Sequence, residues 1–487
     1  MATQQAPTDR HRWLVLAICC MSLFVVGLDN TIVNVALPTI RTDLHASVSQ
    51  LQWTVDAYTI VVASLLILGG STADRLGRAR IFKIGLALFT VGSLACSVAP
   101  TVELLIVFRM LQAVGGAMLN PVAMSIIRNT FTDPRERAQA IGIWGGVIGL
   151  SMALGPVLGG ALVEGFDWRS IFWVNVPIGL AAIVLTARFV AESRAPQARR
   201  PDPVGQVLVL VLLASATYAI IEAPSAGWLS GQTLGLFALA VGAAVALIAY
   251  ERRREDPLID PRFFRSVPFT GATLIAVATF VALGGFLFLN TLYLQQARGL
   301  SPLQAGLYLL PMAATTLVVS PLTGRLLGRV GARPSLVLGG VGVGLSGLML
   351  TGLTDTTSHG WLAAAYVVFG IGFASVNPPI TNTAVSGMPP AQAGVAAAIA
   401  STSRQTGTAF GIAIIGALAV PTSGAPRALA AASHTGWWII AGCGAVVVAL
   451  GLVSTSRRAL GTAAALGDLD DPPPAPRPAP KGMPATS

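Results

Sequence analysis

Along most of the chain, apolar residues come in unbroken runs separated by short segments rich in Arg, Gly and Pro. A helix needs about 20 predominantly apolar residues to cross a bilayer, and the runs have that length. In the first half they predict spans over Trp13–Leu37, Leu51–Gly70, Ile81–Ala99, Leu104–Ile127, Ala138–Leu162 and Ile171–Val190, followed by a pair at Val204–Glu222 and Leu234–Tyr250. The second half adds Phe269–Tyr293, Ala305–Leu326, Ser335–Leu353, Trp361–Thr383, Val395–Val420 and Thr435–Val453, for fourteen in all. The runs are continuous rather than alternating in polarity, which excludes an outer-membrane barrel. The fold class expected is therefore an all-α polytopic membrane protein. The Pro/Ala-rich stretch Ala463–Ser487 reads as a disordered tail.

Composition points the same way. The chain has 487 residues, 54% of them hydrophobic and 11% charged, with a mean hydropathy of +0.71. A soluble domain carries about 25% charged residues, so this chain lacks the charge to cover a water-facing surface. The net charge of +10 does not indicate nucleic acid, because the basic residues lie between apolar runs and form no continuous face. Cys19, Cys20, Cys96 and Cys443 all fall inside apolar runs, where they act as small hydrophobes and suggest neither a disulfide nor a metal site. The first run exceeds the apolar core of a signal peptide and carries Asp29.

The placement of charge sets an orientation. With the N-terminus in the cytoplasm, only Arg41, Arg169, Arg298 and Arg427 fall outside, and Arg109 and Arg404 lie within spans. Every other Lys and Arg is then inside, as the positive-inside rule requires. Both termini are expected to be cytoplasmic. Trp53, Trp168, Trp173, Trp228, Trp361 and Trp437 are expected at the outer interface as an aromatic belt.

An internal repeat divides the chain. GGSTADRLGRAR (Gly69–Arg80) follows the second span and GRLLGRVGARP (Gly324–Pro334) follows the tenth. Aligned without gaps, Gly70 falls on Gly324, Arg75 on Arg329 and Gly77 on Gly331, while Gly328 stands opposite Asp74. Parallel repeats of this kind are a transporter layout. The expected organisation is a short N-terminus (1–12), a six-helix half (13–190), a linker with two additional helices (191–268), a second six-helix half (269–453) and a tail (454–487).

Several strings then resemble the major facilitator superfamily, specifically its fourteen-span drug:proton antiporter family. LDNTIVNVALP (Leu28–Pro38) is similar to that family's first-span motif, and Gly70–Arg80 to the superfamily's loop signature, with Thr72 in place of the usual Leu. RMLQAVGGA (Arg109–Ala117) resembles the fourth-span motif, with Ala113 where Gly is usual, and GLSMALGPVLGG (Gly149–Gly160) the fifth-span antiporter motif. WRSIFWVNVPIG, SPLQAGLYLLP and STSRQTGTAFG are further strings of this sort. The resemblance implies two six-helix halves plus two extra central helices, no enzymatic activity, no cofactor beyond the proton gradient, and a monomer in the cell membrane. It implies proton-coupled export of amphiphilic, cationic or aromatic drugs. Coupled transport of an endogenous metabolite or nutrient on the same fold stands as the alternative.

The candidate residues follow from cost. A carboxylate inside the membrane is expensive when charged and marks a functional position, so Asp29, beside Asn30, Thr31 and Asn34, is the first candidate for proton coupling. Asp56, three positions after Trp53, is the second. Its string WTVDAY resembles members of the family that export cationic compounds, which implies cation selection or a second protonation site; the alternative is a solvated acid at a water-filled mouth. Arg109 stays charged and needs a partner, with Asp29 the leading one; Arg404 with Gln405 plays the comparable part in the thirteenth span. Asp74, Arg75, Gly77 and Arg78, with Gly70, form a candidate gate latch. Gly149, Gly155, Pro156, Gly159 and Gly160 form a candidate seal, in which small residues let helices approach and Pro156 favours a bend. Glu222 is expected at the outer interface. The ERRRED run Glu251–Asp256 reads as a solvated loop. The histidines (His11, His45, His359, His434) lie in tails and outer loops, and no P-loop string occurs.

Overall fold

The computed structural model describes residues 9–195, 202–254, 257–386, 393–419 and 426–467. Its described elements are helical, as the apolar runs require. The first half comprises α1 (Asp9–Asp43), α2 (Val48–Leu76), α3 (Arg78–Ser97), α4 (Val102–Thr130), α5 (Pro134–Gly165), the short α6 (Ser170–Trp173) and α7 (Asn175–Phe189). The extra pair is α8 (Pro203–Ala226) and α9 (Gly231–Glu251). The second half comprises α10 (Val267–Leu292), α11 (Pro302–Tyr308), α12 (Leu310–Val330), α13 (Ala332–Leu350), α14 (His359–Val385), α15 (Ala393–Ala419) and α16 (Pro426–Ser454), and a final α17 (Arg457–Gly467) follows.

Thirteen helical stretches among the described residues are long and apolar enough to cross a membrane. The remaining expected span coincides with α15, a helix of 27 residues that is not among those thirteen and carries the polar string STSRQTGT through its middle. Polar side chains near the N-termini set many of the starts. Ser47 and Gln50 form a capping box at α2, Asp133 accepts from the first amides of α5, and Ser301 with Gln304 repeats the box at α11.

Two spans read as continuous from their hydropathy are broken. Pro177 has no amide to offer the Trp173 carbonyl, and the sixth span divides into α6 and α7 at Val174. Pro311 does the same to Leu307, and the tenth span divides into α11 and α12 at Leu309. The tail also departs from expectation, because Arg457–Gly467 is helical, with Thr462 Oγ1 accepting from the Val267 amide at 3.0 Å. Residues 468–487 lie outside the described part.

The repeat is visible in the backbone. Gly77, between α2 and α3, has φ +118°, and its counterpart Gly331, between α12 and α13, has φ +79°. Both sharp turns use conformations that side-chain-bearing residues rarely adopt. Each half has an apolar core, one built on Tyr58, Phe82, Phe89 and Leu119, the other on Phe286, Tyr366, Phe369 and Trp437. A third cluster joins them, with Ile32 and Val55 of the first half against Phe288, Leu292 and Ile412 of the second. The extra helices are packed into the structure, since Val209 and Leu213 of α8 and Leu247 of α9 share one cluster with Ile60 and Ala63 of α2 and Ala409 of α15. Helix α8 therefore touches both halves.

The aromatic belt needs correction. Trp173, Trp228 and Trp361 are exposed, but Trp168 and Trp437 are buried. Trp168 donates to Asp43 at 2.7 Å, and Trp437 packs edge-on against Phe286.

Candidate functional site

Asp29 sits in the middle of α1 with its carboxylate fully enclosed. Arg109 of α4 donates to Oδ2 at 2.5 Å. Gln112, one turn further along α4, donates to Oδ1 at 2.8 Å, and Asn175, the first residue of α7, to the same oxygen at 3.1 Å. Gln112 also donates to Ser93 of α3 at 2.7 Å. The Arg109 guanidinium is completed by the Thr54 carbonyl at 3.1 Å and the Gln112 side-chain oxygen at 2.7 Å, and it lies 4.2 Å from the centre of the Tyr58 ring. Five helices meet at this network. A buried ion pair is tolerable only when its remaining lone pairs and protons are also satisfied, and here the carboxylate accepts from three side chains.

The sequence pairs Asp29 with Arg109 correctly but misses Gln112, Asn175, Ser93 and Tyr58. Two of these had a signal. Gln112 lies one helical turn beyond Arg109, and Asn175 precedes the proline that breaks the sixth span. Asn34 does not reach Asp29. Its amide donates to the Asn30 carbonyl at 3.1 Å, and its side-chain oxygen has no partner.

Asp56 has the opposite environment. It is fully buried, and neither carboxylate oxygen has a hydrogen-bond partner among the described residues. A solvated acid at a water-filled mouth is thus not what the structure shows. Gln52, one turn before it, donates to the Ile412 and Ala413 carbonyls of α15 at 3.0 Å each. Trp53 packs against Tyr218 of α8 at 5.6 Å, and Ile60, one turn after Asp56, lies in the cluster shared with α8 and α15. These contacts fix Asp56 on the face of α2 turned toward both α8 and α15. Glu222, near the end of α8, accepts from Ser49 at the start of α2.

Arg404 reaches α14, where it donates to Thr381 Oγ1 at 2.5 Å and to the Asn377 carbonyl at 3.5 Å. Its guanidinium lies 6.0 Å from the Phe280 ring centre of α10. Gln405 beside it is half-buried.

The Gly149–Gly160 string works on two sides. A Cβ on Gly155 would lie 2.9 Å from Thr31 Cβ and one on Gly159 2.7 Å from Ile32 Cγ1, so one stripe of α5 is pressed onto the turn of α1 that follows Asp29. Gly160 faces the other half, where a Cβ would lie 2.5 Å from the Pro302 carbonyl oxygen and 2.6 Å from Leu303 Cα. Gly306 of α11 lies as close to Pro156. Glu164 adds a polar clasp, accepting from Ser301 Oγ at 2.6 Å and from the Leu303 amide at 3.3 Å. Gln295 donates to the Val35 carbonyl at 2.8 Å at the same end. Toward the Arg-rich end these helices part. Gly149 still has Leu317 at contact distance, but Gly142, Gly145 and Gly146 of α5 and Gly324 and Gly328 of α12 face open space. The two halves are closed against each other at one end only along α5.

The candidate latch lies within the first half in this conformation. Asp74 accepts from Arg78 at 2.9 Å, and Arg75 is exposed. Gly70 has Pro121 of α4 at 3.4 Å from an ideal Cβ position. The sequence missed Glu192, whose carboxylate accepts from the Ala79 and Arg80 amides at 3.0 Å each. The same carboxylate fills the space where a Gly77 side chain would stand.

A profile described as Major Facilitator Superfamily matches residues 19–412. The chain is 37% identical to the multidrug resistance protein Stp of Mycobacterium tuberculosis over 84% of its length and 76% of Stp. It is 36% identical to the tetracenomycin C resistance and export protein of Streptomyces glaucescens, over 83% of this chain and 76% of that one. It is 37% identical to the methylenomycin A resistance protein of Streptomyces coelicolor, over 81% and 83% respectively. Among solved structures, the fold is similar to a peptide transporter, POT, in complex with sulfate, with a TM-score of 0.66 at 16% identity, over 94% of this chain and 95% of that one. It is also similar to a bacterial homologue of the human lysosomal transporter Spinster in an inward-facing, unoccupied conformation, with a TM-score of 0.63 at 19% identity, over 96% of this chain and all of that one.

Proposed function

The chain belongs to the Major Facilitator Superfamily, and on that premise we propose that it is a proton-coupled exporter of amphiphilic antibiotics that confers resistance to them. The resistance and export proteins it resembles over most of its length support the cargo class. The Arg-rich end is the cytoplasmic one, with both termini there, so the conformation described is closed outside and parted inside along α5.

The observation that carries the coupling is the contrast between the two acids of the first half. Asp29 is held by Arg109, Gln112 and Asn175 and acts as the anchor that joins α1 to α4 and α7. Asp56 has no hydrogen-bond donor among the described residues. An unpaired carboxylate in an apolar setting is costly, so a proton on Asp56 accompanies the inward-facing state. Movement of α2 against α8 and α15 lets Asp56 take its proton from the outer side, and entry of cargo from the cytoplasm expels that proton inward, so that one proton crosses for each molecule exported. The cargo favours the other arm of the cycle.

The driving force is adequate. One elementary charge crossing about 100 mV yields about 2.3 kcal/mol, enough for roughly a 50-fold gradient. In a pump-deficient bacterial host, the wild type raises tolerance to tetracenomycin C or methylenomycin A, and Asp56→Asn abolishes the gain at equal expression. No gain for the wild type across this panel and a set of cationic dyes would remove the drug-export reading.

A further inference from the structure

Among the described residues, the second half holds a cation, Arg404, without a counter-ion. Between Val267 and Ser454 the sequence contains a single acidic residue, Asp355, in the loop between α13 and α14. Arg404 lies at the middle of α15 and is half-buried. Its partners within reach are neutral: the Thr381 hydroxyl and the Asn377 carbonyl oxygen. Its Nε has no acceptor. Arg109 is the instructive comparison, because a buried guanidinium in the first half is matched by Asp29. Asp29 is thereby unavailable to Arg404, and Asp56 lies on the α2 face that meets α8 and the opposite flank of α15.

An intramembrane guanidinium without an anion is expensive, and such positions mark a substrate path by default. Arginine suits this role because its fork of donors matches a carboxylate, and it does not give up its proton. The side chains around it add a shape. Phe280 of α10 lies beside the guanidinium, and Phe373 of α14 packs edge-on against Phe280 at 5.4 Å. The Asn377 side-chain oxygen is also unpartnered, leaving its amide free to turn an NH2 toward the same place.

We infer that the exported compound carries an acidic group, a carboxylate or an ionised enol or phenol on a flat apolar frame, and that its anion docks on Arg404 while the frame lies against Phe280. The inference rests on the export reading above and specifies its cargo. The halves then divide the work, with the first handling the proton and the second reading the charge of the cargo.

The test uses the full chain in phosphatidylcholine vesicles with three probes: 1-pyrenebutyric acid, its methyl ester and ethidium. Wild type binds and transports the acid with at least tenfold lower KM than the ester, the scale of a charge-assisted hydrogen bond. Arg404→Gln removes that preference by raising KM for the acid and leaves the ester unchanged, while Arg404→Lys keeps part of it. Equal effects of Arg404→Gln on acid and ester, as expected if Arg404 only braces α14 or holds a lipid phosphate, overturn the inference. Preference of the wild type for ethidium or the ester overturns it without any variant, and leaves the export reading standing. Transport of none of the three overturns the inference, while the export reading is decided separately by the tolerance assay.

Discussion

The Arg109 guanidinium and the Asp29 carboxylate, 80 residues apart in the chain, meet at 2.5 Å with side-chain exposures of 1% and 0%. The turn of α1 that follows Asp29 is the surface on which α5 rests through Gly155 and Gly159. The anchor of the first half is thus one helical turn from the seal between the halves, and several expectations follow.

Breaking the anchor from either side leaves a buried charge alone. Asp29→Asn or Arg109→Gln is expected to destabilise the protein by about 3–5 kcal/mol, read as thermal unfolding in detergent. The double variant leaves no unpaired charge and recovers a large part of that loss, which a double-mutant cycle quantifies.

Asp56→Asn has a different signature. The amide replaces a protonated acid of similar shape in a place that offers no ion pair, so stability shifts by about 1 kcal/mol or less. Drug-induced proton release from vesicles falls to background. Large destabilisation would place an unseen partner on Asp56.

The outer closure is tested at Gly160. Gly160→Val puts atoms into the space held by Pro302 and Leu303, so the outer ends cannot meet. In that variant, a cysteine pair replacing Glu164 and Ser301 cross-links poorly with a short bis-methanethiosulfonate, which joins thiols through disulfides. With Gly160 intact the same pair cross-links readily, transport stops, and reduction restores it.

The two repeat turns differ in a measurable way. Gly77→Ala meets both an unfavourable φ of +118° and the Glu192 carboxylate, whereas Gly331→Ala meets only an unfavourable φ, with no neighbour in reach. Each is expected to cost about 1 kcal/mol or more, with the larger loss at Gly77. Equal losses would show that Glu192 moves aside freely.

Much of this was legible from the chain. Apolar runs located the spans, and the cost of intramembrane charge singled out Asp29, Asp56, Arg109 and Arg404. What hydropathy cannot show is which polar residue of one helix faces which of another. Asn175 and Gln112 are ordinary amides until the break at Pro177 and the turn after Arg109 bring them onto Asp29. Neither does hydropathy distinguish a satisfied acid from an unsatisfied one, and that difference separates Asp29 from Asp56. The breaks at Val174 and Leu309 were written in Pro177 and Pro311, but apolar neighbours on both sides masked them. Burial of Trp168 depended on Asp43, a residue remote in sequence.

The most direct measurement of proton coupling compares two modes of transport by Asp56→Asn in proteoliposomes loaded with a drug that the wild type exports. A coupling role for Asp56 predicts that exchange of drug for drug across the membrane continues near the wild-type rate, while accumulation against a gradient, driven by an imposed pH difference, is lost. Uphill accumulation by Asp56→Asn equal to that of the wild type would contradict it.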